Sequence, residues 1–191
     1  MSRLLAADDC VLAVIDTQDG FLGKLPEEEA SAIVDRVRWL CRLAEWLRVP
    51  VVVTEEEPER NGQTAPAVAA VLAAGTARHV KPAFDLSACP SILADVTRHD
   101  RATVVLCGLE TDVCILQSAL GLLDVRKRVV VVEDAVASPG PAHAQGLARM
   151  SRAGVELIGL KGLGYEWLRT VERATDFAAT SERDSPAGIV L

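Results

Sequence analysis

An aspartate, a lysine and a cysteine stand where this chain leaves three segments that read as strands. Asp16 follows Val11-Leu12-Ala13-Val14-Ile15, Lys81 follows Ala77 to Val80, and Cys114 lies just beyond Val104-Val105-Leu106-Cys107-Gly108. A carboxylate takes a thiol proton, an ammonium holds the resulting thiolate, and N–H groups at a helix start stabilise an oxyanion. Brought together, these are the parts of an acyl-transfer site. Taken singly, each has a plainer role: Asp16 as a cap after a strand, Lys81 as a solvated loop charge, Cys114 as a small core residue. Cys114 is the most informative of the three. The β-branched run ending at Gly108 reads as a strand end, Thr111 as an N-cap, and the apolar spacing from Ile115 to Leu123 as helical, which makes Cys114 the third helical residue. There the positive helix end and its unsatisfied N–H groups lower a cysteine pKa from about 8.5 by one to several units.

Those residues can meet only if the elements carrying them are parallel neighbours. Short apolar runs alternate with stretches of helical period, the βα alternation of a parallel sheet. Strands are expected at Val11–Ile15, Val51–Val53, Ala77–Val80, Thr103–Cys107, Val129–Val132 and Val155–Ile158. Helices are expected at about Glu28–Leu47, Pro66–Ala74, Ser91–Arg98, after Thr111, at Pro141–Arg152 and at Tyr165–Arg173. Six strands with intervening helices make an α/β protein, a three-layer α/β/α sandwich over a Rossmann-like parallel sheet. In such sheets binding sites gather at the carboxyl edge, at the switch in strand order. The expected division is one domain over residues 1–175 and a tail over 176–191 whose weak periodicity suggests an arm or a frayed end.

Composition narrows the partners. A chain of 191 residues, 50% of them hydrophobic, is long enough for one domain that buries about 70 per cent of its unfolded surface. The net charge of −7 carries no basic stripe, which argues against nucleic acid or an anionic membrane and for a small-molecule substrate. No apolar run approaches the ~18 residues of a spanning helix, and Met1 to Asp9 lacks the pattern of a signal peptide, so the expected location is the cytoplasm. The five cysteines, Cys10, Cys41, Cys89, Cys107 and Cys114, are odd in number and form no C-x-x-C pair, so neither a disulfide framework nor a zinc site is expected.

Four segments in order resemble the isochorismatase-like cysteine hydrolases, which include nicotinamidases and N-carbamoylsarcosine amidohydrolases. Asp16-Thr17-Gln18-Asp19-Gly20-Phe21 is similar to the family's D-x-Q-x-x-F, and Lys81-Pro82-Ala83-Phe84 to its lysine segment. Gly108-Leu109-Glu110-Thr111-Asp112-Val113-Cys114 resembles its G-x-E-T-x-x-C signature, and Glu133-Asp134-Ala135-Val136-Ala137-Ser138 its D-A-x-x-S strand end. The resemblance implies Cys114 as nucleophile, Asp16 as the base that deprotonates it and later protonates the leaving amine, and Lys81 as the cation that orients the pair. It also implies a non-proline cis peptide between Leu109 and Glu110, with the Glu110 and Cys114 N–H groups forming the oxyanion hole.

Departures from the family narrow the substrate. Nicotinamidases carry an Asp-x-His pair and a further His after the second strand to bind a metal, whereas this chain reads Thr54-Glu55-Glu56-Glu57-Pro58-Glu59-Arg60 there, without histidine. That acidic run reads as a solvated loop. A metal-independent, cofactor-free site is therefore expected, and nicotinamidase activity is not. His79 falls on the same side of its strand as Lys81, where a partly buried structural histidine is the commoner role; His99 reads as surface and His143 as a capping or loop residue. Gln18, Phe21, Phe84 and the loop Glu56 to Gly62 are candidate pocket walls, while Trp39 and Trp46 are candidates for core or interface. The expected function is hydrolysis of a small amide or related C–N bond through a thioester, in a homo-oligomer as in many relatives. Alternatives are cleavage of an isochorismate-like vinyl ether and a catalytically idle binding or assembly module. A nucleotide-binding Rossmann protein lacks support, since no G-x-G-x-x-G follows the first strand.

Overall fold

A computed structural model describes residues 3–181 and 185–189. Among these, six strands form one parallel sheet in the order β3-β2-β1-β4-β5-β6, with β1 at Cys10–Ile15, β2 at Val51–Glu56, β3 at Arg78–Lys81, β4 at Thr103–Leu109, β5 at Arg128–Ala137 and β6 at Glu156–Ile158. β1 and β4 are buried along their whole length, as their unbroken apolar sequences require when helices cover both sheet faces. The chain builds outward from β1 to β3 and then returns to the other side of β1 to lay down β4. The switch in strand order therefore lies between β1 and β4, with Asp16 and the turn after β4 on either side of it.

The helices are α1 (Asp19–Leu22), α2 (Glu27–Leu47), α3 (Pro58–Asn61), α4 (Pro66–Ala69), α5 (Pro90–Thr97), α6 (Leu116–Asp124), α7 (Ala142–Ala153), α8 (Leu160–Leu168) and α9 (Val171–Ser181). α2 opens with Glu27, Glu28 and Glu29 against its positive end and closes at Arg48, whose φ of 57° is left-handed. Its buried face, including Val37, Trp39, Leu40 and Leu43, packs with α4, α8 and α9 over Leu12, Val14, Val53, Val105 and Cys107. On the opposite face α5, α6 and α7 cover Val11, Ala13, Ile15, Val104, Leu106 and Val131. The alternation along each strand supplies both layers at once.

Two expected helices differ. The one expected over 66–74 stops at Ala69, because the Val71 N–H reaches back only to Val68 O, at 3.2 Å, a tighter turn that ends the α register. The closing helix expected over 165–173 is instead two, α8 and α9, separated at Arg169, whose φ is 68°. Residue 175 falls inside α9, and Phe177 two residues later is 1% exposed, edge-on to Trp39 and Trp46 at 5.5 and 5.7 Å between ring centres. The first part of the expected tail thus continues α9 to Ser181 and is docked by Phe177; residues 182–184 and 190–191 lie outside the described residues. Both tryptophans serve this internal contact. Phe177→Ala should cost about 3–5 kcal/mol in urea denaturation, the range for emptying an aromatic core site; a change below about 1 kcal/mol would mean that α9 contributes little to the core.

Candidate active site

Asp16 is the first residue past β1 and is held at φ 46° with its N–H bonded to Thr54 O at 3.1 Å. Its carboxylate is fully buried. Oδ1 accepts from the Thr54 hydroxyl at 2.7 Å and Oδ2 faces Lys81 Nζ at 2.9 Å. Lys81 ends β3 and is likewise 0% exposed; its ammonium also donates to Ala83 O at 2.8 Å and Phe84 O at 3.3 Å and lies 3.5 Å from Cys114 Sγ. A charged tip surrounded by oxygen and sulfur is the arrangement a buried lysine needs. Cys114 is 1% exposed.

The turn that delivers Cys114 differs from the expected one. Thr111 is not an N-cap: Thr111–Ile115 form a wide π-turn in which the Ile115 N–H reaches Glu110 O at 3.1 Å, and α6 begins only at Leu116. The Thr111 hydroxyl instead pairs with His143 Nδ1 at 2.9 Å, and Ser138 donates to Asp112 Oδ1 at 2.7 Å, so α7 and the end of β5 clamp the turn from outside. Gly146 of α7 leaves no space for a Cβ, which would lie 2.9 Å from Asp112 Cα. The Leu109–Glu110 peptide is cis. Gly108, at φ 112°, sits where β4 shifts register against β5, and a Cβ there would fall 1.9 Å from Ile15 O, so only glycine lets β4 pass β1 at this point.

A fourth group joins the three. Glu56, placed by the sequence reading in a solvated acidic run, is the last residue of β2, in register with Lys81 on β3. Its Oε2 accepts from Cys114 Sγ at 3.2 Å and lies 3.6 Å from Lys81 Nζ. Its backbone is fixed by Gln18, whose Oε1 accepts from Glu56 N–H at 2.7 Å and whose Nε2 donates to Glu56 O at 3.0 Å and Gly62 O at 2.5 Å. Glu55 points the other way and is also buried, accepting from both Thr64 N–H and Oγ1. The sequence did hold a signal. Extending the second strand past Val53 by its own alternation puts Thr54 and Glu56 on one face, the face of Val52.

The other candidates divide. Gln18 braces the loop after β2. Phe21 is buried with Lys24 Nζ 4.5 Å above its ring, and Lys24 pairs with Glu110 Oε1 at 2.9 Å. Phe84 leaves its ring half exposed and contributes its carbonyl, which Lys81 and Ser118 share. His79 does share the side of Lys81, but its Nε2 is spent on Asp95 at 2.7 Å. The ligand atoms of Asp16, Glu56 and Cys114 lie within 4.8 Å of one another, with the Lys81 ammonium beside all three.

The electrostatics reverse one expectation. Burial, then the Asp16 charge, push the Cys114 thiol well above its ordinary range, and the hydrogen bond to Glu56 adds to this, while Lys81 only partly opposes it. Burial likewise raises Asp16, against the pull of Lys81 and Thr54. Burial by itself works against the charge on Lys81, but Asp16, Cys114 and Glu56 outweigh it and its pKa rises. Cys114 therefore rests as a thiol. Because its pKa is raised, its thiolate fraction at neutral pH is smaller than that of a free thiol. Iodoacetamide should alkylate Cys114 more slowly than glutathione at pH 7.5, the rate should climb with pH with no plateau near 8–9, and Glu56→Gln should raise it. A fast rate already flat at pH 7 would show a resting thiolate and sink this account.

The chain is similar to proteins whose family can be named. The model of the isochorismatase domain matches residues 10–161. A Phytophthora sojae protein described as the secreted isochorismatase effector Isc1 is 34% identical over 166 residues, which cover 82% of this chain and 75% of that protein. Among solved structures, YcaC from Pseudomonas aeruginosa, with hexane-2,5-diol and covalent acrylamide, superposes with a TM-score of 0.88 at 22% identity over 98% of this chain and 94% of its own. The Escherichia coli YcaC product, described as an octameric hydrolase of unknown specificity, does so at 0.87 and 22% over 94% and 89%. The two structures share the fold; the domain match, spanning most of the chain and every group of the buried site, together with the Phytophthora relative, places this protein in the isochorismatase family.

Proposed function

We propose that the protein is a cysteine hydrolase that cleaves a small amide or related C–N bond through a thioester at Cys114. The observation that carries this is the Lys81 ammonium within 3.5 Å of Cys114 Sγ and 2.9 Å of the Asp16 carboxylate, all three groups being buried. As the substrate carbonyl reaches Sγ, the thiol proton passes to Asp16, the S–C bond forms, and the carbonyl π pair moves onto oxygen. The Glu110 and Cys114 N–H groups receive that oxyanion, and loss of one such donor typically costs about 3 kcal/mol. The tetrahedral adduct collapses, the C–N bond breaks, and Asp16 returns its proton to the leaving nitrogen. Water then attacks the thioester as Asp16 takes its proton, the C–S bond breaks, and Asp16 returns that proton to sulfur as the acid leaves.

The reaction is read as metal-independent. Asp16, Glu56 and Cys114 provide one nitrogen-free donor set, and the cation among them is the Lys81 ammonium, so a metal ion would have to displace a buried ion pair to bind. One observation favours a second reading, vinyl ether hydrolysis: burial raises Asp16, which suits a proton donor. That chemistry has no need of Cys114. A homo-oligomer is part of the proposal, supported by the octameric description of the E. coli neighbour and the exposed Phe84 and Val80 beside the site. A cytoplasmic location is proposed from the five free cysteines; among the described residues no helix is long and apolar enough to cross a membrane.

Intact-mass spectrometry of wild type and Cys114→Ala, each incubated with a panel of small amides, carbamoyl compounds and aldehyde analogues, tests the thioester. The expected result is a wild-type adduct that maps to Cys114 and vanishes in the variant, with turnover reduced roughly 10⁴-fold or more. Turnover of an added isochorismate-like vinyl ether by both wild type and Cys114→Ala would select the vinyl ether reading, and neither adduct nor turnover an idle scaffold.

A further inference from the structure

The buried cluster does not balance its charge. Asp16 and Glu56 bring two formal negative charges and Lys81 one positive, leaving −1 around a neutral thiol. Two cations on flanking segments have acidic partners of their own, Lys24 with Glu110 at 2.9 Å and the exposed Arg60 with Glu57 at 3.6 Å. Glu56 is also the member nearest to solvent, its side chain 15% exposed where Asp16 and Lys81 are at 0%. On the cluster's least buried side Glu56 Oε2, at 3.2 Å from Sγ, thus occupies the space next to the atom to be attacked.

The oxygen there needs a replacement partner. In the resting site Glu56 Oε2 accepts from the thiol. Once Sγ has given up its proton to attack, that hydrogen bond is lost while the carboxylate keeps its place, since Gln18 and Asn61 both hold its backbone, Asn61 Nδ2 donating to Glu56 O at 2.9 Å. A partly buried carboxylate left without a donor is costly. A substrate nitrogen carrying hydrogen, attached to the carbonyl under attack, sits one bond from the reacting carbon and supplies that donor. A substrate carboxylate would instead face two negative oxygens, with no cation left to neutralise it among those named.

We propose that Glu56 sets the substrate class: the site takes amides, carbamoyl compounds or amidine-like groups that are neutral or cationic and present an N–H donor beside the scissile carbonyl, and it turns away anionic substrates. This rests on the amide-hydrolase reading for the scissile bond, while the charge filter itself is a property of access to Cys114. Glu56 acts as a specificity-determining residue, with the bond changes remaining those of Asp16 and Cys114.

Three electrophiles of matched size test it without requiring a known substrate: iodoacetamide, the neutral ester methyl iodoacetate, and iodoacetate. Each rate at Cys114 is followed by intact mass with peptide mapping, because burial also leaves Cys10 and Cys41 in the protein as thiols with pKa values near 11 and 12. Each rate is divided by that of glutathione, so intrinsic reactivity cancels, and ratios between probes at one pH cancel the thiolate fraction. Wild type should favour iodoacetamide over iodoacetate by about tenfold or more, with the ester between them. Glu56→Gln and Glu56→Ala, checked for folding by circular dichroism and thermal melting, should each lose most of the discrimination against iodoacetate, and Glu56→Ala should also bring amide and ester together. Equal normalised rates for amide and ester in wild type, or discrimination unchanged in both variants, would overturn the proposal. A filter that collapses in the variants while no panel amide gives a Cys114-dependent adduct or turnover would leave the charge selection standing and remove the hydrolase reading instead.

Discussion

Everything at the carboxyl edge of this sheet is arranged around one buried ammonium. Lys81 is fully enclosed, and a lone cation at that depth would shed its proton or unfold the edge that holds it. It stays charged because three separate strands bring it partners: Asp16 from the end of β1, Glu56 from the end of β2 and Cys114 from the turn after β4, with the carbonyls of Ala83 and Phe84 closing its remaining side. None of these groups is a local neighbour of Lys81 except the two carbonyls. Strand order and register thus have to be correct before the charge is tolerable, which ties the site to the fold in energetic terms.

The same balance governs the proton. A thiolate in this cluster would bring three negative groups against one positive, and burial amplifies that repulsion. Moving the thiol proton to Asp16 leaves the cluster charge unchanged, at −1, because one carboxylate is neutralised as the sulfur becomes charged. A raised Asp16 is therefore matched to a raised Cys114: burial raises both, and on the proposed route the proton passes between groups displaced in the same direction. A free-standing low-pKa cysteine, the arrangement suggested by a helix start, would have needed an exposed, electropositive setting, and Cys114 has neither.

The parts of the structure legible in the sequence are those set by short-range pattern. Unbroken apolar runs marked β1 and β4, though β4 runs on through Gly108 to Leu109, and the strand readings placed Asp16 just past β1, Lys81 at the end of β3 and Cys114 in the turn after β4. What escaped was set by contacts distant in sequence. Glu56 looks solvated beside Glu55, Glu57 and Glu59, and only the pairing of β2 with β3 shows that it lies next to Lys81. Thr111 has the chemistry of an N-cap, yet His143, 32 residues on, takes its hydroxyl, and the backbone opens into a π-turn. The end of α9 gives little periodic signal because, among its described side chains beyond residue 176, Phe177 is the buried one, between Trp39 and Trp46, and one aromatic makes no repeating pattern.

Hydrolysis at a site this closed requires that water follow the leaving amine, and the position of Glu56 bears on how. On the proposed route the carboxylate accepts first from the thiol, then from the substrate N–H. After C–N cleavage the amine departs past the least buried member of the cluster, and the space it vacates lies between Glu56 Oε2 and the thioester carbon. A water entering there finds the acceptor the amine has left and, one group further in, the Asp16 carboxylate that must take its proton. Glu56 does not need to act as a base for this. It needs only to remain where Gln18 fixes it, since a carboxylate that swung out with each turnover would let water reach Sγ before a substrate did. Selection of the substrate and orderly admission of water then become two consequences of one oxygen held at a fixed place beside the sulfur.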